Sequence, residues 1–422
     1  MLAVGSDGIV YSWGANNRGQ LGDNTTSDRS KPQPVKGADG QPFKAVQISA
    51  GAYDSAAIDP QGRVYTWGSE CNSGGSYSLS RSTPTLVQDP SGSNEGLQAV
   101  QVAVKWSFIM ALDKNGTIYA WGYDDYGQLG NGTSDSSYTN QPTPVQYQGK
   151  TGQPFQAKQI SAGSWSALAI DTTDTVWAWG WNDRGQLGNG STADRQYSPV
   201  RVQDPTSTNQ GFQASQICTG TNHTLAIDKE GTAWAWGDNG YGRLGNGTVK
   251  NARTPTQING FLQQNNADAG FKAARISAGS QHSLAIGRDG SAYSWGDNQY
   301  GQLGTGNDTA QSSNPTPVPF NSLLITGIKF DKTVVNPLVQ NPDGSVTLST
   351  PVHSPGLADV AVDWTLGGTK QEPAHLAYAY EGTLPLTGGN GTMIILLAAG
   401  LLAVAGAAAA GRHQRETHAL HA

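Results

Sequence analysis

The stretch ICTGTNHTLAIDKEGTAWAWGDNGYGRLG, residues 217–245, decides how the rest of the chain is read. Small and apolar residues alternate through its first half, a period of two that belongs to strands. Trp234 and Trp236 flank Ala235, so two aromatics share one face of a strand while the small residue between them faces a closely pressed neighbouring sheet. After Gly237 comes a polar tip closed by Gly242-Arg243-Leu244-Gly245, where the glycines suit positive φ or close backbone approach and the leucine acts as a plug.

Outward from this stretch the pattern returns. Trp-Gly occurs at Trp13-Gly14, Trp67-Gly68, Trp121-Gly122, Trp179-Gly180, Trp236-Gly237 and Trp295-Gly296, at spacings of 54, 54, 58, 57 and 59 residues. In all six an aromatic lies two residues earlier (Tyr11, Tyr65, Tyr119, Trp177, Trp234, Tyr293), with Ser12, Thr66, Ala120, Ala178, Ala235 or Ser294 between. Five copies carry a further strand beginning at Ile48, Val102, Ile160, Ile217 and Ile276, and five tips end in Gly-(Gln/Arg)-Leu-Gly, from Gly19, Gly127, Gly185, Gly242 and Gly301. A proline-bearing segment closes each unit, as at Pro32-Gln33-Pro34-Val35 and Pro142-Thr143-Pro144-Val145; proline lacks the donor a central strand needs, so these are expected at outer edges. About four strands per unit, an inner one, an aromatic one and two outer ones, make one propeller blade.

Composition agrees. Of 422 residues 55 are glycine and only 14% are charged, which excludes a helical bundle and favours short strands with tight turns. A net charge of −6 lacks the basic footprint that phosphate neutralisation requires, so nucleic acid is not expected as a partner. Cys71 and Cys218 form neither a disulfide framework nor a zinc site.

The units resemble the repeats of the regulator of chromosome condensation family over roughly residues 1–320. The resemblance implies an all-β protein, a β-propeller that has seven blades in the best-known members. Two departures stand out. Unit two replaces the Gly-Gln-Leu-Gly turn with residues 68–75, and MLAVGSDGIVYSWG aligns with the second half of a unit. Residues 1–19 also lack a basic n-region, an apolar h-region and a small-residue cleavage site, so the native N-terminus is expected upstream. Either blades precede this chain or the ring closes with fewer than seven.

Beyond Phe320 the Trp-Gly pattern stops. Ile325–Phe330, Val346–Leu348, Ala358–Asp363 and Ala374–Tyr380 read as new strands, separated by the turns at Asn341-Pro342-Asp343-Gly344 and Leu366-Gly367-Gly368. Residues 321–381 look similar to the later part of an IPT/TIG-type, immunoglobulin-like β-sandwich that serves as a spacer. Residues 382–392 then hold a motif and linker: Leu384-Pro385-Leu386-Thr387-Gly388, followed by the uncharged run Met393–Ala410 and by Arg412 and Arg415 in the tail 411–422. That order resembles the LPxTG sorting signal of Gram-positive surface proteins. The run, read as a transmembrane helix, spans about 27 Å at ~1.5 Å per residue, and the arginines hold the tail on the cytoplasmic side. The resemblance implies that a sortase cuts Thr387–Gly388 and passes the Thr387 acyl group to a peptidoglycan amine, leaving the protein extracellular on the cell wall.

Candidate chemistry elsewhere is sparse. His223 and His282 share a repeat position that elsewhere holds Asp54, Phe108 and Ser166, so they are read as structural hydrogen-bonding residues rather than a catalytic pair. The acidic tips Asp124-Asp125, Asp183 and Asp238 lack a calcium-loop pattern, and no cofactor or metal site is written. The Asn-Gly-Thr/Ser sequences at Asn131, Asn189 and Asn246 read as turns. The tips instead carry Arg18, Tyr126, Arg184, Tyr241, Tyr300, Tyr123 and Trp181, residue types that concentrate contact energy, and these form the candidate binding face; Trp106 and Trp165 are expected in the core. The preferred reading is a non-enzymatic, wall-anchored display protein that binds a protein or glycan. The alternatives are a guanine-nucleotide exchange factor, implied by the eukaryotic relatives, and a polysaccharide lyase or hydrolase.

Overall fold

Each backbone N–H and C=O that leaves water needs a partner, and short alternating segments find theirs across strands. In the computed structural model they pair within antiparallel sheets. The structure describes residues 1–69, 80–106, 108–133, 139–147, 149, 152–259, 270–306, 309–318, 323–335, 338–340, 346–349, 356–366, 369–370, 373–380, 392–398, 401–407 and 418–419. The chain divides into two compact units, one of Met1–Ala285, Tyr293–Leu303 and Asn307–Thr316, the other of Ile286–Ala292, Gly304–Gly306 and Pro317–Ala422.

In the first unit a blade is built, from the inside outward, of strands such as Gln216–Thr219, His223–Ile227, Ala233–Gly237 and Ala252–Gln257. The same order recurs in sheets whose innermost strands are Gln47–Ala50, Gln101–Val104, Ala157–Ala162 and Ala273–Ala278. A first sheet of three strands, Leu2–Val4, Val10–Gly14 and Arg29–Pro34, precedes them. The proline strands are outermost, as expected. Two details of the sequence reading are corrected. The aromatic strand is third, with one strand outside it rather than two. The stretch read as one strand from Ile217 onward is a hairpin, because the chain reverses where Gly220 N–H donates to the His223 carbonyl at 2.8 Å, as Gly51, Gly163 and Gly279 do in their own blades.

Trp67, Trp121, Trp179, Trp236 and Trp295 are fully buried between sheets. Their packing explains the turn that follows each aromatic strand. The Trp67 indole N–H donates to the carbonyl of Gln20, Trp179 to Gln128, Trp236 to Gln186 and Trp295 to Arg243, at 2.8–3.0 Å, each acceptor lying in the preceding blade's Gly-x-Leu-Gly turn. Room for the indole requires glycine. At Gly188 φ is +65°, and a Cβ there would lie 2.6 Å from Trp236 Nε1. The leucines Leu21, Leu129, Leu187, Leu244 and Leu303 are buried beside it. Nearer the axis, neighbouring inner strands exchange side-chain bonds: Gln47 Oε1 accepts from Val102 N–H at 2.7 Å and Gln101 Oε1 from Ile160 N–H at 3.0 Å.

In the second unit, Leu323–Phe330 pairs with Gly356–Leu366, which also pairs with Ala374–Tyr380. Ile325, Ile328, Phe330, Val335, Ala358, Val360 and Val362 are buried there. Strands form at the four expected places, but Val346–Ser349 lies in a separate sheet, paired with Thr392–Ala398; the turns 341–344 and 367–368 lie outside the described residues. The expected transmembrane helix is not found. Thr392–Ala398 and Leu401–Ala407 pair as antiparallel strands, Met393 opposite Gly406, and no helix among the described residues is long and apolar enough to cross a membrane. An uncharged run fixes burial but not period, and Ile394, Ile395 and Val404 are β-branched residues that suit strands.

Gly188→Ala is expected to cost about 1–3 kcal/mol, more than Gly40→Ala, where φ is +78° but no atom lies within 4 Å of the added Cβ. The urea midpoint of each variant, at unchanged slope, checks this.

Candidate functional site: an aromatic face

Two kinds of tip supply the aromatic side chains. Tyr53, Trp106 and Trp165 sit where an innermost strand turns into the second; Tyr123, Tyr126 and Trp181 follow the Trp-Gly of the third. The second kind is rigid for a local reason. Asn16, Asn182, Asn239 and Asn298 are buried, and each side-chain oxygen accepts from the leucine N–H five residues on at 2.9–3.1 Å. Asp124 takes that place in the third blade, accepting from Leu129 N–H at 2.9 Å, so Tyr123 and Tyr126 flank a locked residue.

The rings form one connected set. Tyr53 meets Trp106 edge-on at 6.1 Å, Trp106 lies 5.8 Å from Trp165, and Trp165 contacts Tyr123 at 5.7 Å and Tyr126 at 5.3 Å. Tyr126 stacks on Trp181 at 5.1 Å. The Arg195 guanidinium lies 5.4 Å from the Tyr126 ring centroid and donates to the Asp125 carbonyl at 3.2 Å. The Tyr123 hydroxyl donates to Asp125 Oδ2, while Asp125 Oδ1 is buried with no hydrogen-bond partner among the described residues. Trp106 is 43% exposed and Tyr53 40%. Offset and edge-on pairs hold such rings in place.

Of the seven residues expected on the binding face, Tyr123, Tyr126 and Trp181 come together. The other four do not join them. Arg184 pairs with Asp183 at 3.2 Å, the Arg243 guanidinium covers Tyr241 at 5.3 Å while pairing with Asp238 at 3.1 Å, Tyr300 is 91% exposed, and Arg18 is exposed. Trp106 and Trp165, expected in the core, join this set instead, Trp106 exposed and Trp165 half-buried at their hairpin tips. The sequence marks Tyr53 only as an aromatic at the same hairpin tip.

His223 is buried, and its Nε2 lies 2.9 Å from Ser283 Oγ, which donates to the Arg243 carbonyl at 2.8 Å. His223 thus reaches from the fifth blade to a strand of the sixth. Burial, then the Arg243 and Lys105 charges, push its pKa well below 6.5, and burial lowers that of His282. Cys218 is a free thiol whose Sγ accepts from Ala278 N–H at 3.2 Å, the place in which Ser49 and Ser161 accept from Val104 and Thr219; burial raises its pKa. Asn131, Asn189 and Asn246 close turns onto Thr133, Ser191 and Thr248 at 3.0–3.2 Å. Among the described residues no three of His, Cys, Asp or Glu could hold a metal ion. Residues 384–388 lie outside the described residues.

Residues 1–335 match the RCC1-like domain. The chain belongs to that family. The Arabidopsis thaliana Ultraviolet-B receptor UVR8 is 31% identical to this RCC1-like chain over 76% of it and 68% of the receptor. The human E3 ubiquitin-protein ligase HERC2 is 31% identical over 74% of the chain, which spans only 6% of that ligase. Among solved structures, yeast RCC1 (Prp20), determined bound to Kap60, superposes with a TM-score of 0.62 at 26% identity, covering 75% of this chain and 72% of the yeast one. Human WBSCR16 shares the fold, with a TM-score of 0.56 at 23% identity over 68% of this chain and 69% of its own. Residues 379–416 match the LPXTG cell wall anchor motif. Blades and anchor together describe a surface-anchored RCC1-like propeller protein.

Between its folded pKa and 6.5 the unfolded chain binds a proton at His223 that the folded chain does not, so stability falls as pH drops below about 6.5. His223→Phe, which takes the residue found at position 108, is expected to flatten this slope by up to about 1.4 kcal/mol per pH unit. Urea unfolding between about pH 5 and 8 measures it; His282 leaves a residual slope of the same sign.

Proposed function

We propose that this protein is a non-enzymatic display protein, joined to peptidoglycan by a sortase at Thr387, whose RCC1-like blades hold an aromatic face toward a protein or glycan. The observation that carries this reading is the connected set of six rings from Tyr53 to Trp181, with Trp106 and Tyr53 substantially exposed. Large apolar faces left in water cost free energy unless a partner covers them, and rigid Tyr and Trp side chains lose little conformational entropy on binding. The cell wall anchor motif at residues 379–416 supports presentation outside the cell.

The exchange-factor reading comes from the relatives alone, and an anchored protein faces away from nucleotide pools. Wall fractionation tests the anchor: Thr387→Ala is expected to remove covalent linkage from an exported full-length protein. A glycan array and capture from surface extracts test the face. Trp165→Ala is expected to weaken binding about tenfold or more, and bound glycan should release no new reducing ends. Unchanged binding, or cleavage, would overturn the display reading.

A further inference from the structure

The fourth blade departs from its repeat where its outermost strand begins. In blades one and five this position holds Asp28 and Asn251, whose Oδ1 atoms accept from the tip N–H groups of Asn16 at 2.7 Å and Asn239 at 2.9 Å. The fourth blade places Arg195 there, opposite Trp181 in the ladder, and Asn182 N–H turns instead to the Asp194 carbonyl at 2.7 Å. The Arg195 side chain therefore has no part in closing its own tip. It reaches the preceding blade, where Nη1 donates to the Asp125 carbonyl at 3.2 Å and the guanidinium lies 5.4 Å from the Tyr126 ring centroid.

Direct contacts thus join this cation to the rings. Tyr126 stacks on Trp181 at 5.1 Å and meets Trp165 edge-on at 5.3 Å, and from Trp165 the run continues to Trp106 at 5.8 Å and then to Tyr53 at 6.1 Å. Arg195 is exposed, and among the described residues no carboxylate lies within ion-pair distance of its guanidinium. Asp125, the acid of the tip it reaches, accepts at Oδ2 from the Tyr123 hydroxyl. Among the described residues a single hydrogen bond engages the guanidinium, so most of its planar fork of N–H donors stays open to a carboxylate, which such a fork holds through two parallel bonds.

We propose that Arg195 and this ring cluster form the docking site for an acidic segment of a protein partner, with a carboxylate on the guanidinium and an aromatic or aliphatic side chain against the exposed parts of Trp106 and Tyr53. Charge and ring packing argue for this occupant. A guanidinium held against an aromatic ring and lacking a counter-charge is matched by Asp or Glu, and Arg, Trp and Tyr are the residue types that concentrate energy in protein interfaces. A pyranose needs an open flat ring, whereas Tyr126 already meets Trp181, Trp165 and Arg195, and Trp165 meets Trp106, Tyr123 and Tyr126. From the guanidinium to Trp106 there are three steps of 5.3–5.8 Å, a distance that about five extended residues at ~3.3 Å each cover. This proposal rests on the aromatic face as the binding surface and adds the class and charge of its partner.

The test selects peptides from a displayed random dodecapeptide library on the full chain and measures synthetic copies of them by calorimetry. Wild type is expected to enrich sequences that carry Asp or Glu about five positions from an aromatic or aliphatic residue, and replacing that acid by its amide should weaken binding about tenfold or more. Arg195→Asn installs the residue that blade five has at this position and so preserves the fold, checked by thermal midpoint; it should lose the preference for acid. Arg195→Lys, which keeps the charge without the fork, should retain only part of it. An acid preference unchanged in Arg195→Asn, or no enrichment by wild type, overturns the site. Selected peptides that lack an acid and whose binding Trp106→Ala removes overturn the part given to Arg195 while leaving the aromatic face intact. A galacturonic acid hexasaccharide that binds wild type but not Arg195→Asn, with no acidic peptide selected, would replace the protein segment with an acidic saccharide.

Discussion

Everything in the first unit depends on a hydrogen bond from one blade to the one before it, donated by an indole N–H to a carbonyl in a Gly-x-Leu-Gly turn. It ties Trp67 to Gln20, Trp179 to Gln128, Trp236 to Gln186 and Trp295 to Arg243. The bond is buried, so losing either partner leaves a desolvated polar group whose cost exceeds the net value of the bond. The glycine, the leucine and the small residue two before Trp-Gly's glycine follow from it. Each makes room for the indole or seals the turn against water.

Because this joint repeats, the places where the chain departs from its own pattern carry information. Asp124 stands where asparagine otherwise organises the tip, and Cys218 stands where serine accepts an inter-blade N–H; both keep the acceptor and therefore the fold. Lys105 is different. It replaces the glycine found at the other four hairpin tips, and its carbonyl oxygen would lie 2.3 Å from a Cβ on Gly51.

Much of the blade was legible in the sequence because its signals are local. Strand period, tip glycines and outer-edge prolines each reflect the backbone of one segment. The hairpin hidden in ICTGTNHTLAID was not, since alternation continues through a tight reversal and only the Gly220-to-His223 bond reveals it. The apolar run after the anchor pentapeptide suggests a helix for a related reason: hydropathy without polar positions has no period, and Thr392–Ala398 pairs with Leu401–Ala407 instead.

The sequence by itself determined the repeated blade, its order of tips and edges, and the pentapeptide, apolar run and basic tail of the anchor, all of which are written in consecutive residues. The tertiary structure alone decided which tips meet. Trp106 and Trp165 lie 59 positions apart, yet their rings meet at 5.8 Å. Such encounters depend on how far each sheet is rotated from the last, and that rotation is set by packing between faces, which a pattern along one strand does not encode.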